Sequence, residues 1–212
     1  VNRDPIFNGP IPDISWDEDT TTQLDLRNYF TEPDLETLAF TVEFLNDTSH
    51  ITVSITNGIA NFSSSRDFSG AAMVRFKAND GEAFVTSNNV SLFVLPANDK
   101  PSIAAIASQT VVQTNTISFT VNATDVDRDQ LSFSTNAASF FGNTFTFNSA
   151  TGAFSLTPST AIEGKTYTVQ FTAHDSSLED STNASITVIP ALEVQNAVAT
   201  INPTFSVQDG TI

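Results

Sequence analysis

This sequence predicts an all-β fold, built as two tandem β-sandwiches followed by a C-terminal strand segment. Three observations carry that expectation. Apolar and polar residues alternate in short runs separated by turn signals, and no stretch of ten or more residues holds a convincing 3.6-residue period. The composition suits strands and turns, with 18 Phe against one Met and only 8 Lys and Arg, and with abundant Ser, Thr, Asn and Val. The second half of the chain also repeats the first.

The repeat is legible in order along the chain. VNRDP (1–5) resembles PANDKP (96–101), both short, polar and closed by Pro. EPDLETLAF (32–40) matches DVDRDQLSF (125–133), which sets Glu32, Asp34 and Glu36 against Asp125, Asp127 and Asp129. GIANFSSSRDFSG (58–70) matches GAFSLTPSTAIEG (152–164), and VRFKANDG (74–81) matches VQFTAHDS (169–176), aligning Asp80 with Asp175. SLFVLPA (91–97) matches SITVIPA (185–191). A nearly constant spacing across five matches implies duplication of one domain.

Within the second copy, ISFTVNA (117–123), LSFST (131–135), NTFTFNS (143–149), AFSLTP (153–158), YTVQFTAHD (167–175) and ASITVIP (184–190) read as strands. Asn57-Gly58, Asp80-Gly81 and Thr151-Gly152 read as turns. Only PDLETLAFTVEFL (33–45) has a possible helical reading, and its counterpart in the second copy reads as strand. About seven strands in each copy predict Greek-key sandwiches of the immunoglobulin-like type. The expected boundaries are 1–97, 98–191 and a remainder, 192–212, with strand chemistry. That remainder reads either as the start of a third domain or as a strand donated to a neighbouring copy.

Charge narrows the function. The net charge of −16 repels phosphate backbones and anionic lipid, so nucleic acid and membrane surfaces are not expected partners. Cys is absent, which excludes a disulfide framework, thiol chemistry and Cys-based zinc sites. No apolar run reaches 18 residues, and a chain opening at Val1 without a leader pattern reads as a mature form or an excised piece.

The acidic run ATDVDRDQLSF (123–133) is the most informative stretch. If it is extended, Asp125, Asp127 and Asp129 point to one side at roughly 6–7 Å spacing. At an effective dielectric near 20 each neighbouring pair then costs about 2–3 kcal/mol. Water or a cation must offset that. Calcium, a hard ion taking six to eight oxygens, fits carboxylates and amides without His or Cys. The alternative is a solvated acidic loop ordered by Asx turns.

The order of motifs resembles bacterial and archaeal cadherin-like repeats. The first copy is similar to the tandem bacterial type, with W-x-E-D (Trp16, Glu18, Asp19), F-x-G (Phe68, Gly70) and F-x-A-x-D-G. The second resembles the dystroglycan type, with A-T-D-x-D-x-D-x-L-x-F, G-x-F-x-x-x-P and F-x-A-x-D. That resemblance implies calcium at junctions between consecutive domains. The implied ligands are Asp125, Asp127, Asp175, Asn98 and Asp99 in the second copy, with Asp129 beside them. In the first copy they are Asp34, Asp80, Asn2 and Asp4, flanked by Glu32 and Glu36. The short linker implies one ion per junction. Glu18, Asp19 and Asp67 read as solvated surface acids, with ligands on the opposite side of a junction as the alternative.

No nucleophile, zinc-protease, P-loop or dinucleotide motif is present, and the two His, His50 and His174, read as surface or strand-end residues. The chain is therefore expected to be no enzyme. It reads as an extracellular or cell-surface structural and adhesive protein: a calcium-stiffened rod, stalk or filament subunit. Its expected partners are copies of itself, adjacent domains, another cell surface or a glycan. The alternative is a carbohydrate- or protein-binding accessory module. Glycan stacking would need Trp16, Tyr29 and Tyr167 on one exposed face.

Overall fold

Strands form where the alternation demands a two-faced ribbon, and the two halves do this in the same order. The computed structural model describes residues 2–46, 49–159 and 164–191. The segment 192–212, expected as a third-domain start or donor strand, lies outside the described residues. The chain divides into two compact units, Val1–Lys100 with Asp125–Asp129, and Pro101–Thr124 with Gln130–Ile212.

In the first unit, β1 (Ile6–Phe7) pairs with β4 (Phe30–Thr31). One sheet runs β2 (Ile14–Asp17), β10 (Val90–Leu95), β8 (Gly70–Asn79), β5 (Ala39–Phe44), with β9 (Phe84–Thr86) also on β8. The facing sheet runs β3 (Thr21–Asp25), β7 (Ile59–Ser64), β6 (Ile51–Thr56). β2 lies parallel to β10, and the other pairings are antiparallel. β8 shows the cause: Ala72, Val74, Phe76 and Ala78 are buried while Met73, Arg75 and Lys77 face outward. Phe62 and Phe76 meet edge to face at 6.3 Å in the core. The β6–β7 hairpin closes through Asn57 and Gly58, both at positive φ (50° and 80°), as a two-residue turn of the primed kind requires.

The second unit repeats this order. β11 (Ser102–Ile103) pairs with β14 (Ala123–Thr124). One sheet runs β12 (Gln109–Val112), β19 (Glu179–Ile189), β18 (Lys165–His174), β15 (Ser132–Thr135), with β12 parallel to β19. The other runs β13 (Ile117–Thr120), β17 (Ala153–Leu156), β16 (Phe145–Phe147). Phe119, Phe154 and Phe171 form its centre, with Phe154 and Phe171 perpendicular at 5.4 Å. Both units are thus immunoglobulin-like sandwiches in which the first strand splits between the two sheets.

Two expectations are corrected, and of the two geometries open to the acidic run the loop ordered by an Asx turn is the one observed. ISFTVNA is not one strand: it breaks at Val121 and Asn122, so β13 pairs with β17 while β14 moves to β11. The buried Val121 donates its N–H to Gly152 O at 2.9 Å, and Gly152 sits at φ 68°, where a Cβ would meet that Val121 carbonyl. A single-turn helix, α1 (Ala138–Phe141), buries Phe141 where no helix was expected. Asp125–Asp129 is not extended. It bends, with Arg128 at φ 67°, so its acids do not alternate on a strand face.

Candidate metal centre

The bend follows from hydrogen bonding by Asp125. Its Oδ1 accepts the N–H groups of Asp127 (2.9 Å) and Asp129 (3.3 Å), an Asx-type turn that a carboxylate two residues back provides. The turn presents Asp127, whose Oδ2 accepts the N–H of Asp99 at 2.7 Å. Asp99 thereby joins an acidic group within the first unit. One carboxylate oxygen from each of Glu18, Asp99 and Asp127 lies within 4.8 Å of the others, and the same holds for Asp19, Asp67 and Asp99. Asp99 is common to both triads.

Glu18 and Asp19 come from the turn after β2, and Asp67 from the loop between β7 and β8. Their positions are set by backbone bonds. Glu18 N–H donates to Leu95 O (2.9 Å), and its Oε1 accepts the N–H of Ala97 (2.8 Å), which anchors the start of the linker. Asp19 and Asp67 both adopt positive φ (57° and 54°), and Asp67 N–H donates to Asp19 Oδ1 at 3.1 Å. Glu18 is only 5 % exposed, so the expectation that it is a solvated surface acid is corrected. Asp19 and Asp67 are exposed, as expected, but converge on Asp99 rather than standing apart.

The electrostatics of this group are unbalanced. Burial, followed by the charges of Asp67, Asp127, Asp19 and Glu18, holds the Asp99 carboxyl above the usual carboxylate range. Oδ2 of Asp99 and Oδ2 of Asp125 are each buried without a hydrogen-bond partner. A buried acceptor left unpaired costs about 1–3 kcal/mol, and more when charged. A donor set made wholly of oxygens, with net negative charge and unpaired lone pairs, fits a hard divalent cation. Glu18, Asp99 and Asp127 would hold it, and Asp19 and Asp67 would add oxygens through the second triad on Asp99.

Among the described residues, no other expected acidic ligand is part of these triads. Asp129 is exposed, and its N–H serves the Asp125 turn. Asn98 donates to Asp99 O at 3.2 Å. Asp175, in the second unit, orders its own turn by accepting the N–H groups of Ser177 (2.6 Å) and Leu178 (2.7 Å).

In the first copy, Asp80 does the same with Glu82 (2.8 Å) and Ala83 (2.7 Å), and Asn2 donates to its Oδ2 at 3.1 Å. Asp34 is taken by Arg3: the guanidinium reaches Oδ1 at 2.7 and 2.8 Å, and the Arg3 N–H reaches Oδ2 at 2.6 Å. Arg3 holds the Asp34 carboxyl below the usual range. Glu32 Oε1 accepts the Asp34 N–H at 2.8 Å, while Glu36 lines a groove of about 660 Å³ with Phe30, Phe40 and Ile55. Among the described residues, Glu32, Asp34, Glu36 and Asp80 form no triad of the kind found at Asp99.

Other candidate features read differently in place. Trp16 is buried, and Tyr29 and Tyr167 pack against two separate cores, so the three share no exposed face for stacking on a sugar. His174 Nε2 lies 2.8 Å from Ser134 Oγ, and its Nδ1 lies 3.2 Å from Glu179 Oε2. That order matches a nucleophile, base and acid. It stands on an outward sheet face with Glu179 65 % exposed, where water is not excluded. No helix among the described residues is long and apolar enough to cross a membrane.

Comparison with known proteins places this chain in a family. No curated protein matches the chain significantly. Among solved structures, it is similar to an endo-fucoidan hydrolase of glycoside hydrolase family 107 at 14% identity and TM-score 0.36. That match covers 89% of this chain and 29% of the hydrolase. The titin domains Z1Z2 in complex with telethonin match at 16% identity and TM-score 0.37, over 91% of this chain and 100% of theirs. Drosophila N-cadherin EC1-4 matches at 14% identity and TM-score 0.38, over 87% of this chain and 50% of that one. The family match is bacterial immunoglobulin-like rather than specifically cadherin-like. Residues 2–93 and 98–189 each match the bacterial Ig domain, and the chain belongs to that family as a tandem pair.

Proposed function

We propose that this chain is an extracellular structural module of a bacterial surface protein, a rod, stalk or filament segment stiffened by calcium. The observation that carries the reading is the convergence of Glu18, Asp99 and Asp127, with buried carboxylate oxygens left unpaired at Asp99 and Asp125. A cation there neutralises mutual repulsion and ties the linker residue Asp99 to both Glu18 and the Asp125–Asp129 turn. The linker is then held instead of swinging freely, which suits a spacer that bears load or projects an adhesive end. A tandem of bacterial Ig domains supports the extracellular placement. The chain acts without catalysis in this reading, and its partners are adjacent domains or further copies of itself.

The test is a melting curve in millimolar calcium and in chelator. A site filled to about 100 times its dissociation constant adds roughly 2.7 kcal/mol, a shift of many degrees for a domain of this size. Asp125→Asn combined with Asp127→Asn should remove the shift. Identical curves for the wild type in calcium and in chelator would refute the proposal.

A further inference from the structure

The start of each sandwich is built on one backbone plan with opposite charge. In the first, Arg3 N–H donates to Asp34 Oδ2 at 2.6 Å; in the second, Asp99 N–H donates to Asp127 Oδ2 at 2.7 Å. Asp80 and Asp175 each accept the N–H groups two and three residues ahead. Each also donates its own N–H to the carbonyl three residues ahead, at 3.3 and 3.2 Å. The repeat sets Asn2 against Asn98 and Pro5 against Pro101, and so Arg3 against Asp99 and Asp4 against Lys100.

The side chains then diverge. Arg3 turns its guanidinium onto Asp34 Oδ1 and also donates to Pro33 O at 2.8 Å. Asp99, at the equivalent place, adds a carboxylate to Glu18 and Asp127.

We propose that Arg3 is a covalently attached stand-in for the cation, so that the acidic turns at the start of the first sandwich are set without metal, while those at the start of the second depend on it. One residue position, Arg3 or Asp99, decides which of the two a repeat uses. A guanidinium supplies fixed donors in a fork that matches a carboxylate, and it needs no free ion. An aspartate at the same place makes the loop responsive to the ion concentration outside the cell. This inference rests on the calcium reading for the second sandwich, but the Arg3 half of it does not.

The experiment uses the full chain as wild type, Asp99→Arg, Asp99→Asn and Arg3→Asp, melted in EGTA and titrated with calcium by calorimetry. In EGTA, Asp99→Arg should melt highest, Asp99→Asn next and wild type below both. Removing a charge relieves repulsion, and adding a guanidinium also fills the vacated role. Arg3→Asp should melt lowest. Both Asp99 variants should lose the calcium heat. If Asp99→Arg melts no higher than Asp99→Asn in EGTA, or Arg3→Asp melts with the wild type, the stand-in role is overturned. If the wild type binds no calcium but the EGTA order holds, the calcium reading fails while the charge role of Arg3 stands.

Discussion

Replacing Glu18 by Gln separates a metal-binding carboxylate from a merely hydrogen-bonded one, because the sign of its effect depends on calcium. The amide is isosteric, and its oxygen can still accept the Ala97 N–H that Glu18 Oε1 holds at 2.8 Å. What changes is one charge. Glu18, Asp99 and Asp127 offer oxygens within 4.8 Å of one another, and at that separation an effective dielectric near 20 gives about 3.5 kcal/mol of repulsion per pair. Asp127 is exposed, and solvent screening brings such a pair down to about 1 kcal/mol or less. Glu18→Gln should therefore stabilise the chelated protein by about 1–3 kcal/mol, and each kcal/mol raises the melting temperature of a domain this size by about 4–8 °C. In calcium the same change removes an anionic ligand, weakens binding and shrinks the calcium-induced shift. Melting curves followed by near-UV circular dichroism, with calcium and with EGTA, read both arms. A loss of stability in EGTA would show that the carboxylate is favourable without metal and refute the reasoning.

Two further outcomes follow from particular groups. A carboxyl held above its unfolded value favours the folded state once protonated. In chelator, the stability limited by Asp99 should rise as pH falls from neutral through its folded pKa and level off near 3.8, its ordinary value. Asp34 and Asp80 have the opposite sign, so their contribution is full above 3.8 and is lost only below it. A pH series of melts checks this, and Asp99→Asn should abolish the rise. Phe171→Ala removes a fully buried ring that meets Phe119, Phe147 and Phe154, and should cost about 3–5 kcal/mol in urea unfolding of the second unit.

The sandwiches were legible because alternation is a local signal. In AFSL and VQF every second residue goes inside, and Phe154, Leu156, Val169 and Phe171 are buried accordingly. The break of ISFTVNA at Val121 was not legible, since continuing alternation does not say which strand each half will pair with. The acidic run is legible, and of the two geometries it allows, an extended face and a loop ordered by Asx turns, the structure takes the second. A carboxylate that accepts N–H groups from residues ahead makes a turn, and alternating Asp is as suited to that as to a strand face. Less legible is the role of Glu18, Asp19 and Asp67, which the sequence leaves between solvated acids and ligands from the far side of a junction. W-x-E-D drew attention to the first two, yet nothing local says that a loop after β2 and one before β8 will approach Asp99. That proximity is a property of the sandwich, in which these loops and the end of β10 share one side.

An acidic residue that recurs in two copies is weak evidence for a metal, and these copies show why. Asp80 and Asp175 each satisfy two backbone N–H groups, so the turn uses the side-chain oxygen whether or not an ion is near, as Asn148 does with its amide. Asp34 and Asp127 each accept an N–H from the strand-entry segment, which is likewise a backbone requirement. What differs between the copies is the side chain at the position shared by Arg3 and Asp99, where the backbone bond is the same and the charge is reversed. That contrast isolates electrostatics from architecture. The first copy pairs its acid with a guanidinium, whereas the second gathers acids around Asp99, and on the proposed reading it is there that an external ion would act.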